Sequence, residues 1–177
     1  MQHLTTSPVS WERVVYLERS AVSRGCGALV TFVGMVRGDW QGSRQVRALF
    51  YDAYAEMAER QVERLVAEAR ARWSLEAAVV QHRLGVVEVG GISVIVVVAA
   101  QHRAEAYAAS QFLLERIKHE VPIWKREQYD DGVSQWTMQT QEILAVAEPS
   151  AAAPARCDTP SPARMVPARS GAAHAHV

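Results

Sequence analysis

Residues Ile92–Glu127 read ISVIVVVAAQHRAEAYAASQFLLERIKHEVPIWKRE, and their pattern changes twice. Ile92–Ala100 is an almost unbroken apolar run of nine residues rich in β-branched side chains, the signature of a strand buried on both faces. It falls far short of the roughly 20 residues that a membrane-spanning helix needs. From Ala104 to about Val121 the chain reads as a helix. Pro122 stops it, because a proline disfavours helical geometry in the residue before it. Ile123–Tyr129 is extended again, so the stretch is a strand, a helix and a second strand in sequence.

On the N-terminal side of this stretch, Ala77–His82 is a strand that forms a hairpin with Ile92–Ala100 around a connection at Gly85–Gly91. Between Tyr54 and Arg72 the apolar residues Met57, Ala58, Val62, Leu65, Val66 and Ala69 recur at intervals of three and four, which predicts an amphipathic helix of about five turns. Glu56, Glu59, Arg60, Glu63, Arg64 and Arg70 supply its solvated side. Arg13–Leu17 reads as a short strand, Gly27–Val36 as a longer one and Gln45–Tyr51 as a third, after a flexible turn at Gly38–Ser43. Asp130, Asp131 and Gly132 turn the chain into a short strand near Trp136. The expected class is α+β with two main helices and mixed or antiparallel strands, since two helices offer few crossovers for a parallel sheet.

The chain has 177 residues, room for one domain and a tail. Composition shifts at Pro149: Ala, Pro and Ser occupy 17 of the last 29 positions, with no apolar period and no aromatic residue. The expectation is a folded body over 1–148 and a disordered tail over 149–177. Acidic and basic residues balance at 19 each, and the body alone is mildly acidic, so a broad nucleic-acid footprint is excluded and any cationic site must be local. Cys26 and Cys157 give neither a disulfide framework nor metal-ligand spacing, and His174 and His176 read as a polar chain end. The first residues lack the basic-then-apolar layout of a secretory signal. A reducing cytoplasm, with no metal and no membrane, is the expected setting.

Two features carry chemistry. Gln101, His102 and Arg103 stand where the buried strand gives way to a helix, whose unpaired N–H groups and partial positive charge suit an anion such as a phosphate. The bland alternative is Arg103 paired with Glu105 or with solvent and His102 as a polar strand end. The same tripeptide recurs at Gln81, His82 and Arg83, but a hairpin would place the two copies at opposite ends. The second feature is the lysines. Of 19 basic residues 17 are arginine, and the two lysines, Lys118 and Lys125, lie seven positions apart. A chain that writes nearly every cation as arginine keeps lysine where a compact amine that can lose its proton serves better. Beyond Pro122 side chains alternate, placing Lys125 and Glu127 on one face with Trp124 and Arg126 on the other. A solvated Lys125–Glu127 salt bridge and a helix-end cation at Lys118 are the structural alternatives.

Five ordered blocks resemble the large, catalytic subunits of molybdopterin synthase: GALVTFVGMVR (Gly27–Arg37), FYDAYAEMA (Phe50–Ala58), HRLG (His82–Gly85), AQHR (Ala100–Arg103) and KHEVPIWKRE (Lys118–Glu127). The resemblance spans about Val14 to Trp136. It implies an α/β hammerhead fold with an antiparallel β subdomain, and a sulfurtransferase of molybdenum cofactor biosynthesis. Such an enzyme converts cyclic pyranopterin monophosphate to molybdopterin. The sulfur comes from the C-terminal Gly-Gly thiocarboxylate of a small ubiquitin-like subunit. It further implies a central homodimer within a heterotetramer and no cofactor of the enzyme's own. Carried over by motif, Lys118 and Lys125 are the essential lysines. Arg37, His102 and Arg103 bind the pterin phosphate, with a contribution across the dimer interface, Phe32 lines the pocket and Glu127 orients Lys125.

The chain departs from the pattern in three places. Asp52 stands for the usual Glu, no basic residue follows Trp136 within Thr137–Ile143, and the Ala/Pro tail is foreign to it. Two other readings stay open at this level. One is a non-catalytic subunit that docks a ubiquitin-like partner; the other is a phosphate-binding enzyme with a Schiff-base lysine.

Overall fold

The apolar run at 92–100 becomes the inner strand around which the rest of the first sheet is built. The computed structural model describes residues 2–137. In chain order the elements are β1 (Leu4–Thr5), α1 (Trp11–Ala21), β2 (Ala28–Met35), β3 (Trp40–Gln41), β4 (Arg44–Ala53), α2 (Ala55–Arg72), β5 (Leu75–Arg83), β6 (Gly85–Glu88), β7 (Ile92–Ala100), α3 (Arg103–Glu120), β8 (Ile123–Tyr129) and β9 (Ser134–Thr137). The expected tail at 149–177, and the end of the body at 148, lie outside the described residues.

The first sheet has the order β1-β5-β7-β2. The two-residue β1 runs parallel to β5, and the other pairs are antiparallel. Helices α2 and α3 cover one face, where Val62, Leu65, Leu113 and Ile117 meet Val96, Val98 and Ala100. Helix α1 covers the other, where Val14, Leu17 and Ala21 meet Ile95, Val97 and Ala99. Both faces of β7 are therefore closed, which is why its sequence does not alternate. No helix among the described residues is long and apolar enough to cross a membrane.

The second sheet is built on β4. It pairs with β3 and β6, and also with β8, which in turn pairs with β9. The chain changes sheets at Gly85, whose φ of 82° lies in the left-handed region that glycine enters without strain. There β5 ends in the first sheet and β6 begins beside β4 in the second. The β5–β7 hairpin is thus as expected, but its connection is not a plain loop: it holds β6.

The class is α+β, as the periodicity predicts, with corrections in detail. Arg13–Leu17 is no strand. It lies inside α1, so the described residues hold three helices, not two. The five residues RVVYL are locally β-prone, but Val14, Leu17 and Ala21 recur at helical spacing and are the ones buried. Burial of that stripe against the first sheet outweighs the small propensity cost of β-branched residues in a helix. Glu59, assigned to the solvated side of α2, is half-buried. Its carboxylate accepts hydrogen bonds from the backbone N–H groups of His3 and Leu4 at 2.9 and 2.8 Å, tying β1 to α2.

Candidate active site

Helix α3 starts at the end of β7 and runs back over the first sheet, so its two termini mark the two ends of that sheet. At its start, His102 occupies the N-cap with extended backbone and no side-chain cap bond, and Arg103 opens the helix. Both are exposed. Arg103 makes no ion pair among the described residues and in particular none with Glu105. The first-turn N–H groups have no partner within a helix, so this mouth can present several donors to one anion.

At the other end of α3, Lys118 is exposed in the last turn. Lys125 is half-buried on β8, opposite Tyr51 of β4 and Thr137 of β9. Neither lysine lies within ion-pair distance of a carboxylate among the described residues. The salt-bridge alternative for Lys125 and Glu127 therefore has no contact behind it. Glu127 does share the face of Lys125, but its carboxylate accepts a 2.7 Å hydrogen bond from the Tyr129 hydroxyl. That bond raises the Tyr129 pKa above the usual phenol value. Glu127, Tyr129, Gln135 and Thr137 line an open groove of about 650 Å³ that also contains Arg44. Arg44 in turn pairs with Asp131 at 2.9 Å. On the opposite face of β8, Arg126 lies between the rings of Phe50 and Trp136, at 5.0 and 5.3 Å from their centroids.

Of the remaining candidates, Arg37 follows the end of β2 on the Lys118 side and pairs with Asp39 at 3.1 Å, whereas Phe32 of β2 lies opposite Val96 at the middle of β7 and is exposed. Register fixes the division: Ala28 of β2 lies opposite Ala100, beside His102, whereas Met35 lies opposite Ile92. One chain thus carries Arg37, Lys118, Lys125 and Glu127 toward one end of the first sheet, with Phe32 midway along β2. It leaves His102 and Arg103 at the other, about 22 Å away along α3 at 1.5 Å per residue.

Three residues behind Lys125 carry no site role in the sequence reading. Tyr51 meets the ring of His82 edge-on, with centroids 5.0 Å apart. Burial raises the Tyr51 hydroxyl pKa, against a smaller downward pull from the Ser93 hydroxyl. His82 is buried and its Nδ1–H donates to the Arg83 carbonyl at 2.8 Å. Burial holds its pKa down at about 4, so it is neutral at pH 7. The FYDAY and HRLG blocks contain Tyr51 and His82, but only the fold brings them together.

A family model described as MoaE protein matches residues 4–120. The chain is 38% identical over 142 residues to the molybdopterin synthase catalytic subunit of Bacillus subtilis, covering 80% of this chain and 87% of that one. Among solved structures, molybdopterin synthase from Staphylococcus aureus superposes with a TM-score of 0.70 at 32% identity, covering 77% of this chain and 96% of that one. A chain from the protein–protein complex of subunits 1 and 2 of the Helicobacter pylori molybdopterin-converting factor has a TM-score of 0.64 at 21% identity, covering 78% and 90%. At that identity it bears on the fold alone. The family match takes in β1 through α3, and the Bacillus subtilis relative, more than 30% identical, is matched over most of its length, so this chain belongs to the MoaE family, the catalytic subunits of molybdopterin synthase.

Proposed function

We propose that the chain converts cyclic pyranopterin monophosphate to molybdopterin, taking sulfur from the C-terminal Gly-Gly thiocarboxylate of a small ubiquitin-like carrier subunit. The observation that carries this reading is the pair of lysines, the only two in the sequence, brought to one end of the fold with no carboxylate partner among the described residues. Both reactants are anions, and free cations at close range are what their encounter requires. Lys118, exposed on a helix end, meets the incoming thiocarboxylate carbonyl and stabilises the oxyanion that develops there. Lys125 lies deeper and moves a proton at the pterin, with Glu127 held beside it by Tyr129. The groove along Glu127 and Thr137 gives an extended carrier tail a track toward Lys125.

The phosphate of the pterin binds at His102 and Arg103 with Arg37, and this needs two copies of the chain. A phosphate held at the mouth of α3 lies about 22 Å from Lys118 of the same chain, too far for one small substrate. Strand β2 is the last strand of the first sheet, with Leu29, Phe32 and Met35 exposed along it. Antiparallel pairing of two β2 edges about a two-fold axis carries the mouth of one α3 alongside the other copy's Phe32, Arg37 and Lys118. The active assembly is then a central homodimer with one carrier subunit per copy, a heterotetramer.

Complementation tests both the reaction and the shared site. With thiocarboxylated carrier and pterin precursor, the unmodified chain forms the dithiolene product, whereas Lys118→Arg and Arg103→Ala are each folded and inactive. Mixed and reassembled, they recover up to about a quarter of the activity, because half the dimers are mixed and each of these has one intact site. No product from the unmodified chain would overturn the reaction assigned. No recovery on mixing, with the unmodified chain active, would overturn the shared site.

A further inference from the structure

The two lysines belong to different layers. Lys118 rides on α3, which packs on the first sheet, while Lys125 belongs to β8 of the second. The two elements are joined through Val121 and Pro122, and Val121 and Ile123 anchor that joint in the core beneath α3. Beyond the joint, the place of Lys125 over the first sheet depends on the side chains that β4 sends into that core. Tyr51 is the largest of those rooted on β4. It lies directly opposite Lys125 in the β4–β8 register, so the two β-carbons share a face about 5 Å apart. Its ring packs against the core beneath α3 and meets His82 of β5 edge-on at 5.0 Å. An edge-on aromatic pair resists sliding, since both rings are held in one orientation. His82 is itself anchored, through Nδ1–H to the Arg83 carbonyl at 2.8 Å and through its backbone N–H to the His3 carbonyl at 2.7 Å.

We propose that Tyr51 is a positioning residue: rooted on β4 opposite Lys125 and seated against His82 of the first sheet, it fixes Lys125 relative to Lys118. The ring, not the hydroxyl, carries this role, because the ring makes the contact with His82. The proposal rests on the catalytic reading of the two lysines, but its central test needs no turnover. With only two lysines in the chain, protein labelled with carbon-13 at lysine Cε gives one resonance for each, assigned by Lys118→Arg and Lys125→Arg.

Tyr51→Leu should shift the Lys125 resonance while leaving that of Lys118 in place. Tyr51→Phe should leave both where they stand in the unmodified chain. In single-turnover sulfur transfer Tyr51→Leu should fall at least about tenfold, with carrier affinity unchanged, because a misplacement of about 1 Å is enough to cost that much. Tyr51→Phe should stay within about twofold of the unmodified chain by the same argument. If Tyr51→Leu does not fold, Tyr51→Phe still decides the matter: a displaced Lys125 resonance in that variant would overturn the role of the ring. An unmoved Lys125 resonance in folded Tyr51→Leu, or equal movement of both lysines, would overturn the proposal. A chain inactive in sulfur transfer but showing the selective Lys125 shift would instead count against the assigned reaction and leave the strut standing.

Discussion

The tripeptide Gln-His-Arg occurs twice, at 81–83 and at 101–103, and the two copies have opposite lives. The first ends β5. Gln81 and His82 are buried, and the Gln81 side-chain carbonyl accepts a 2.8 Å bond from Arg13. An Arg83 guanidinium nitrogen donates to the Val86 carbonyl, also at 2.8 Å. The second follows β7 and faces solvent from the mouth of α3, with His102 and Arg103 exposed. Identical residues are packed at the junction of the two sheets in one place and stand open at a helix start, the proposed anion site, in the other. What separates them is the element that follows. After Arg83 the chain turns at Gly85 into another strand that covers it, whereas after His102 a helix begins and its open N–H groups need a partner.

The two histidines give the contrast its severest test. On the proposed phosphate site His102→Ala removes one exposed donor, so activity should drop about 10- to 100-fold, the worth of one charged hydrogen bond. Its stability should stay within about 0.5 kcal/mol of the unmodified chain, as for other exposed sites. His82→Ala empties a buried site and should cost about 2–4 kcal/mol in denaturant unfolding. Equal stability losses at the two positions would erase the distinction.

Acid probes the same difference. The folded pKa of His82 is about 4, below its reference of 6.5. The unfolded chain therefore binds the extra proton between those values, and stability falls as pH drops through that window. The loss, about 3 kcal/mol, is complete below the folded pKa. His82→Gln should flatten unfolding free energy measured between pH 7 and 4, and an unchanged slope would count against a neutral buried imidazole. The smallest effect belongs to Arg83→Lys. One bond to the Val86 carbonyl is at stake, so the expected cost is about 1 kcal/mol, read as a shift in melting temperature with His102 and Arg103 untouched.

Much of the molecule is legible from sequence because local rules act alone there. The apolar run Ile92–Ala100, the three-and-four spacing of Val62, Leu65 and Ala69, and the stop at Pro122 each name an element without reference to the rest of the chain. The arginine bias that singles out Lys118 and Lys125 is likewise internal to the composition, and alternation beyond Pro122 places Lys125 and Glu127 on one face, as observed. Where local rules compete, the reading goes wrong: in Arg13–Leu17 a β-prone run overlies a helical stripe, and only the presence of β7 beneath that stripe decides for the helix. Register, sheet order and the direction of α3 are longer-range still. They lay α3 back along the first sheet, set Tyr51 between Lys125 and His82, and send the two Gln-His-Arg copies to different surroundings. No residue carries that information by itself, because cross-strand neighbours far apart in the chain are chosen by the burial of whole faces, which is settled only when the sheets close.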